Sequence, residues 1–154
     1  MLELPHEFLH RMEEMLSSEY KNFLKEYEKP VQRAIRINRL KTTPERIAGY
    51  LPYPLQKTHF CEDAYLVPEK VQGLGRHPFH HAGAYYVQEP SAASAVTILA
   101  PQPGDKVLDL CAAPGGKSTQ IASALQGKGL IWSNEIVRNR ARVLLSNMER
   151  MGVR

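Results

Sequence analysis

Residues 107–122, VLDLCAAPGGKSTQIA, hold the chain's densest cluster of chemistry-bearing positions. An apolar run leads into a turn of small residues and then into a helical pattern. Glycine and alanine let a ligand approach the backbone closely, so such a turn is a binding element. Two readings compete for it. CAAPGGKS differs by one residue from the phosphate-gripping G-x-x-x-x-G-K-[ST], with Cys111 in place of the first glycine. Alternatively, Asp109, Cys111, Ala113 and Gly115 are spaced like the D-x-G-x-G-x-G of nucleoside-cofactor folds.

The phosphate reading is the weaker. Its first glycine is missing, Asp109 is a poor neighbour for a triphosphate, and no later strand ends in a metal-binding aspartate. Glu135 instead ends the next apolar run, LIWSNE. Open α/β folds place there the carboxylate that accepts hydrogen bonds from a ribose. Cys111, Ala112, Ala113, Pro114, Gly115, Gly116, Lys117 and Glu135 are therefore the expected cofactor-binding residues. Lys117 either meets a cofactor carboxylate or simply starts the helix, and Cys111 reads as a small residue in the turn, not a nucleophile. Gln88 and Glu89 either brace this turn or a substrate pocket, or only open a helix. Arg36, Asn38, Arg39 and Lys41 are candidates for RNA phosphates. His77, His80 and His81 have no Cys or Glu at ligand spacing, so no metal site is expected.

The elements that carry these residues follow from periodicity. Residues 5–16 and 18–28 each present an apolar helical face, the second stopped by Pro30. Residues 34–38 alternate as a half-buried strand. Thr42 with Glu45 reads as a capping box, with short strands near 57–60 and 64–67. A second unit is expected from Gly83: a strand in YYVQ, a helix after Pro90, the strand KVLDL, a helix ended by Gly127 and Gly129, the strand LIWS, and a helix over 137–151. That last helix should turn Ala141, Leu144, Leu145, Met148 and Met151 inward. The fold class is thus α/β: an α+β domain over 1–82, then the first half of a Rossmann-like sheet over 83–154. Two parallel strands make a poor sheet, so the chain reads as the N-terminal piece of a longer protein.

Composition is that of a globular domain, at 43% hydrophobic and 23% charged. No apolar run approaches the roughly 18 residues of a membrane span, and the start is not a signal peptide, which points to the cytoplasm. The net charge of +4 lies wholly in residues 101–154, which carry eight Lys and Arg against four Asp and Glu. Arg138, Arg140, Arg142, Arg150 and Arg154 supply most of it, as a solvated face or as a nucleic-acid surface. Cys61 and Cys111 form no disulfide framework.

LDLCAAPGGKSTQIA resembles the cofactor motif of the Sun/nucleolar-protein family of RNA cytosine-C5 methyltransferases. GAYYVQEPSA, IRINRLKTTPE and NEIVRNRARVLLSNMERMGV resemble that family's other motifs, in its order, and the opening LPHEFLHRMEEML looks most like the bacterial branch acting on small-subunit ribosomal RNA. The resemblance implies a Rossmann-like methyltransferase using S-adenosylmethionine on cytidine in rRNA. It implies attack on C6 by a cysteine thiolate, which activates C5 for methyl transfer. The family's nucleophile lies in a Thr-Cys motif, with a second cysteine in a Pro-Cys motif. This sequence has neither, so no catalytic residue is expected within it. A non-catalytic RNA-binding module is the competing expectation.

Overall fold

The computed structural model describes residues 4–154. The chain divides into two compact units, residues 1–31 and 32–154. In the first, α1 (His6–Leu16) and α2 (Tyr20–Glu26) are joined by a tight 3-10 turn at Ser17–Glu19. Phe8, Phe23 and Tyr27 hold them together, with Phe23 and Tyr27 edge to face at 5.2 Å between ring centres. Met15, expected on the packed face, is exposed.

The second unit opens with an antiparallel sheet of β1 (Arg33–Ile37), β2 (Gln56–Lys57), β3 (Ala64–Val67) and β4 (Tyr85–Gln88), in the order β2-β3-β1-β4. One face of it, with Ile35, Ile37, Tyr65, Val67 and Tyr85, forms a core with Ile47, Leu51 and Leu74. Between β1 and β2 lies α3 (Pro44–Ala48). Its cap is Thr43 and not Thr42: Pro44 occupies the first helical position and leaves the preceding residue extended, with Thr43 Oγ1 accepting the Arg46 N–H. Before β4 comes α4 (Pro78–His81), capped by His77, whose Nδ1 accepts the Phe79 N–H at 3.2 Å.

The placement of β4 differs from expectation. It does not open the second layer but pairs with β1, with Ile35 opposite Val87, so the antiparallel sheet continues through Gln88. The burial of β1 differs too. A half-buried strand was expected, yet Ala34 to Ile37 are all buried. Arg36, on the face opposite Ile35, meets the start of a helix from the parallel layer.

That layer contains α5 (Ser94–Leu99), β5 (Lys106–Asp109), α6 (Gly116–Leu125), β6 (Leu130–Ser133) and α7 (Arg138–Met151). β5 and β6 pair in parallel, Leu108 opposite Trp132. Val107 and Ile131 pack on Val96, Ile121 and Leu125, while Leu108, Leu110, Leu130 and Trp132 are exposed. α6 closes on Gln126 in the left-handed conformation, one residue before the expected Gly127. On α7, Leu144 and Met151 are buried, but Leu145 is exposed at 60%. Among the described residues no helix is long and apolar enough to cross a membrane.

Candidate functional site

β5 and β6 end side by side, and the backbone links them beyond the strands: Asn134 N–H donates to the Asp109 carbonyl at 2.8 Å, and Ala112 N–H to the Asn134 carbonyl at 2.9 Å. Asp109 orders the turn internally. Its carboxylate accepts the Cys111 N–H and, at 2.7 Å, the Ser118 hydroxyl, which also lies 2.9 Å from Ser133 Oγ. The strand end and the first turn of α6 are thereby fixed to each other.

Gly115 caps α6 with φ +112, a conformation that excludes other residues, and a β-carbon there would stand 3.2 Å from Leu144 Cδ1. Three carbonyls of the turn accept from side chains. Arg140 donates to Ala113 at 2.8 Å, Asn147 to Pro114 at 2.8 Å, and Arg36 to Gly116 at 3.1 Å. Among the described residues, the N–H groups of Gly115, Gly116 and Lys117 find no protein acceptor, as expected for the first turn of a helix. Those donors and the helix dipole favour a negative group.

Glu135 lies just beyond β6, with a side chain only 3% exposed. Its Oε1 accepts the Val137 N–H at 2.9 Å. Its Oε2 lies 3.1 Å from Arg140 Nη1, but the two are not aligned as a hydrogen bond, and that oxygen is buried without a hydrogen-bond partner. Arg140 therefore touches both the turn and the carboxylate. A cavity of about 450 Å³ beside Glu135 is lined by β6 and α7 residues, including Ser133 and Leu144, and by none of residues 111–117. In the sequence Arg140 reads only as one of the positive charges of the last third. Its position five residues after Glu135, in the first turn of the following helix, was the available signal.

The remaining candidates separate clearly. Gln88 does brace the turn, by accepting Arg36 Nε at 2.9 Å. Glu89 faces the next helix: it accepts from Ser91 and Ala92, and the Ser91 hydroxyl chiefly holds its carboxyl below the ordinary value. Arg36 and Asn38 are not RNA contacts, since both are buried by packing on both faces of the sheet. Asn38 donates to the Gly83 and Met151 carbonyls, each at 2.8 Å. Arg39 pairs with Asp63, and Lys41 donates to the Ala82 and Arg150 carbonyls. Lys117 and Cys111 are exposed. Cys61 lines a separate cavity along α6, with its sulfur 3.6 Å from Gln120 Nε2.

Comparison with known proteins follows this division of the chain. Residues 4–90 match the N-terminal domain of 16S rRNA methyltransferase RsmF, and residues 96–154 match 16S rRNA methyltransferase RsmB/F. The chain belongs to this rRNA methyltransferase family. It is 34% identical over 160 residues to ribosomal RNA small subunit methyltransferase F of Vibrio atlanticus, covering 98% of this chain and 34% of that protein. With the protein of the same description from Escherichia coli O1:K1 / APEC the identity is 36% over 165 residues, covering 97% and 33%. The chain thus spans about a third of the length of the curated relatives it matches. A methyltransferase homologue from Pyrococcus horikoshii superposes with a TM-score of 0.85 at 26% identity, over 98% of this chain and 50% of the other. NSun6 from the same organism shares the fold, with a TM-score of 0.86 at 18% identity over 97% and 63%.

Proposed function

We propose that the whole protein methylates C5 of a cytidine in small-subunit ribosomal RNA, using S-adenosylmethionine, in the cytoplasm. The part that ends with the antiparallel sheet at Gln88 supplies an RNA-binding domain, and the parallel layer from Ser94 onward the first part of the cofactor site. The observation that carries this reading is Arg140, bonded to the Ala113 carbonyl and paired with Glu135 where two parallel strands end. It links the turn to the one carboxylate spaced for a ribose.

The residues present fit a charged nucleoside. Glu135 Oε2 is a buried acceptor with no hydrogen-bond partner, suited to a ribose hydroxyl. Cys111, Ala112 and Ala113 are small residues, Cys111 exposed and the two alanines packed against Leu144. Pro114, Gly115 and Gly116 shape the bend, and Lys117 with the free N–H groups of the first turn of α6 offers positive charge to a carboxylate. S-adenosylmethionine supplies the electrophilic methyl group on a sulfonium. Neither Cys111 nor Cys61 is assigned as the nucleophile.

Calorimetry with S-adenosylmethionine on the whole protein tests this reading. Glu135→Ala should weaken binding by about 1–3 kcal/mol, the scale of a lost charged hydrogen bond. Unchanged affinity removes Glu135 from the site. A wild type that binds RNA but no S-adenosylmethionine would leave the RNA-binding module as the function.

A further inference from the structure

Arg36 lies in β1, far in sequence from the turn, and is 1% exposed. Among the described residues it has no carboxylate within ion-pair distance. Desolvation alone pushes its pKa down to about 10, against weaker opposing effects from Cys61, Tyr86 and Asp63. A buried cation without an anion is costly, and an apolar side chain of similar size would commonly serve stability better. Its place in the core is accounted for by what the guanidinium holds.

It holds one end of the turn. Nε donates to Gln88 Oε1 at 2.9 Å, which fixes the plane of the fork. Nη2 then reaches Thr119 Oγ1 at 2.7 Å and the Gly116 carbonyl at 3.1 Å. Thr119 passes the constraint on, donating to the Gly115 carbonyl at 2.7 Å. The other end is held in the same manner. Arg150 donates to the His80 carbonyl at 2.6 Å and to Asn147 Oδ1 at 3.1 Å, and Asn147 donates to the Pro114 carbonyl. The two guanidinium carbons lie 5.7 and 5.6 Å from the centre of the same ring, Tyr86 of β4. The turn is therefore gripped at Gly116 from the antiparallel sheet and at Pro114 from α7, on either side of left-handed Gly115.

We infer that Arg36 is a positioning residue for cofactor binding: from the antiparallel sheet it aims the Gly116 peptide and the first turn of α6, so that the turn is preformed before the cofactor arrives. This rests on the cofactor reading proposed above. Only a planar fork satisfies Gln88, Thr119 and Gly116 together, and a lysine ammonium at this position cannot reproduce that geometry.

The test compares Arg36→Lys and Thr119→Val with the whole wild-type protein. Three quantities are read: calorimetric affinity for S-adenosylmethionine, affinity for small-subunit rRNA, and the KM and kcat of methyl transfer. Arg36→Lys should weaken S-adenosylmethionine binding tenfold or more and raise its KM in step. Its kcat should fall less than threefold, and its RNA affinity should stay within twofold. Thr119→Val, which removes the hydroxyl that accepts from Arg36 and donates to the Gly115 carbonyl, should weaken S-adenosylmethionine at least threefold. Should Arg36→Lys fail to fold, Thr119→Val decides alone. Cofactor affinity unchanged in a folded variant overturns the inference and leaves the cofactor reading standing. Parallel loss of cofactor and RNA affinity also overturns it, as the mark of a merely structural role. A wild type that binds no S-adenosylmethionine overturns both.

Discussion

Gly83 and Arg150 meet backbone to backbone: a β-carbon built on Gly83 would lie 1.9 Å from the Arg150 carbonyl oxygen. The same carbonyl accepts from Lys41 Nζ at 2.7 Å, and Asn38 reaches the carbonyls of both Gly83 and Met151. The end of α7 is thus fastened to the bend that opens β4. This is the same helix whose Arg140 and Asn147 hold the turn.

Gly83→Ala combines that collision with a φ of +70 that disfavours any side chain. It should cost about 2–4 kcal/mol in urea unfolding, the range for a backbone clash at a special φ. Gly49→Ala is the control. Gly49 has φ −68 and nothing within 4 Å of a new β-carbon. Its midpoint should move by less than about 0.5 kcal/mol equivalent. Matching midpoints for the two variants would show that the Gly83 contact is not kept in solution.

His80 should make stability fall on acidification. Burial first, then Arg150 and His81, lower its pKa below the ordinary 6.5, and its Nδ1 is buried without a partner. The unfolded chain therefore protonates first as the pH drops. The stabilising effect of a neutral His80 is fully present above about 6.5 and is lost as pH falls toward the lowered folded value. His80→Asn should flatten unfolding free energy against pH in that window. A variant curve parallel to wild type from pH 7 to about 5 would assign the acid sensitivity to other groups.

Periodicity and spacing made the layers legible. The strand KVLDL, the turn, the helix after it and LIWS all stand where the pattern put them, because a short buried strand between turn residues leaves little choice. What failed was partnership. YYVQ reads as a strand in sequence, but nothing local says that it pairs with residues some fifty positions earlier. Arg36 and Asn38 were misread for the same reason. Alternation along RAIRI predicts a wet face, and only the arrival of α6 over Arg36 and of the end of α7 beside Asn38 makes the two residues internal. Spacing was enough to put the turn and Glu135 after neighbouring strand ends, but not to find the residues that hold the turn. Arg36, Asn147 and Arg150 come from elements distant from the turn and follow no local pattern, whereas Arg140 carried a signal in its place just after Glu135.

Burial also moves the RNA prediction. Arg39 and Lys41 are already engaged by Asp63 and by carbonyls, whereas Arg138 and Arg142 on α7 are exposed and in none of the ion pairs among the described residues. If α7 meets phosphates, each neutralising change at Arg138 or Arg142 should flatten the slope of log affinity against log salt by about 0.7–0.9. Lys41→Met should instead lower stability and leave the slope alone. Titration of the whole protein with rRNA at several salt concentrations separates these outcomes. A slope unmoved in Arg138→Gln and Arg142→Gln would make them ordinary surface charges.

Leu108 and Trp132 stand opposite each other in the parallel pair and are 59% and 67% exposed. Leu110 and Leu130 extend the patch on the same side, while the reverse face is covered by α5 and α6. Parallel strands ordinarily have both faces covered, and an apolar face beside open strand edges is a template for association. The 154-residue chain by itself should therefore self-associate at about 10–100 μM, the range in which exposed apolar surface and strand edges aggregate. The double variant Leu108→Lys, Trp132→Gln should shift it toward monomer. Both side chains are mostly in water already, so each change should alter unfolding free energy by only about 0.5 kcal/mol. Sedimentation velocity at several concentrations gives the answer. Wild-type chain that stays monomeric throughout, or a variant that associates just as strongly, would mean that this face does not drive association.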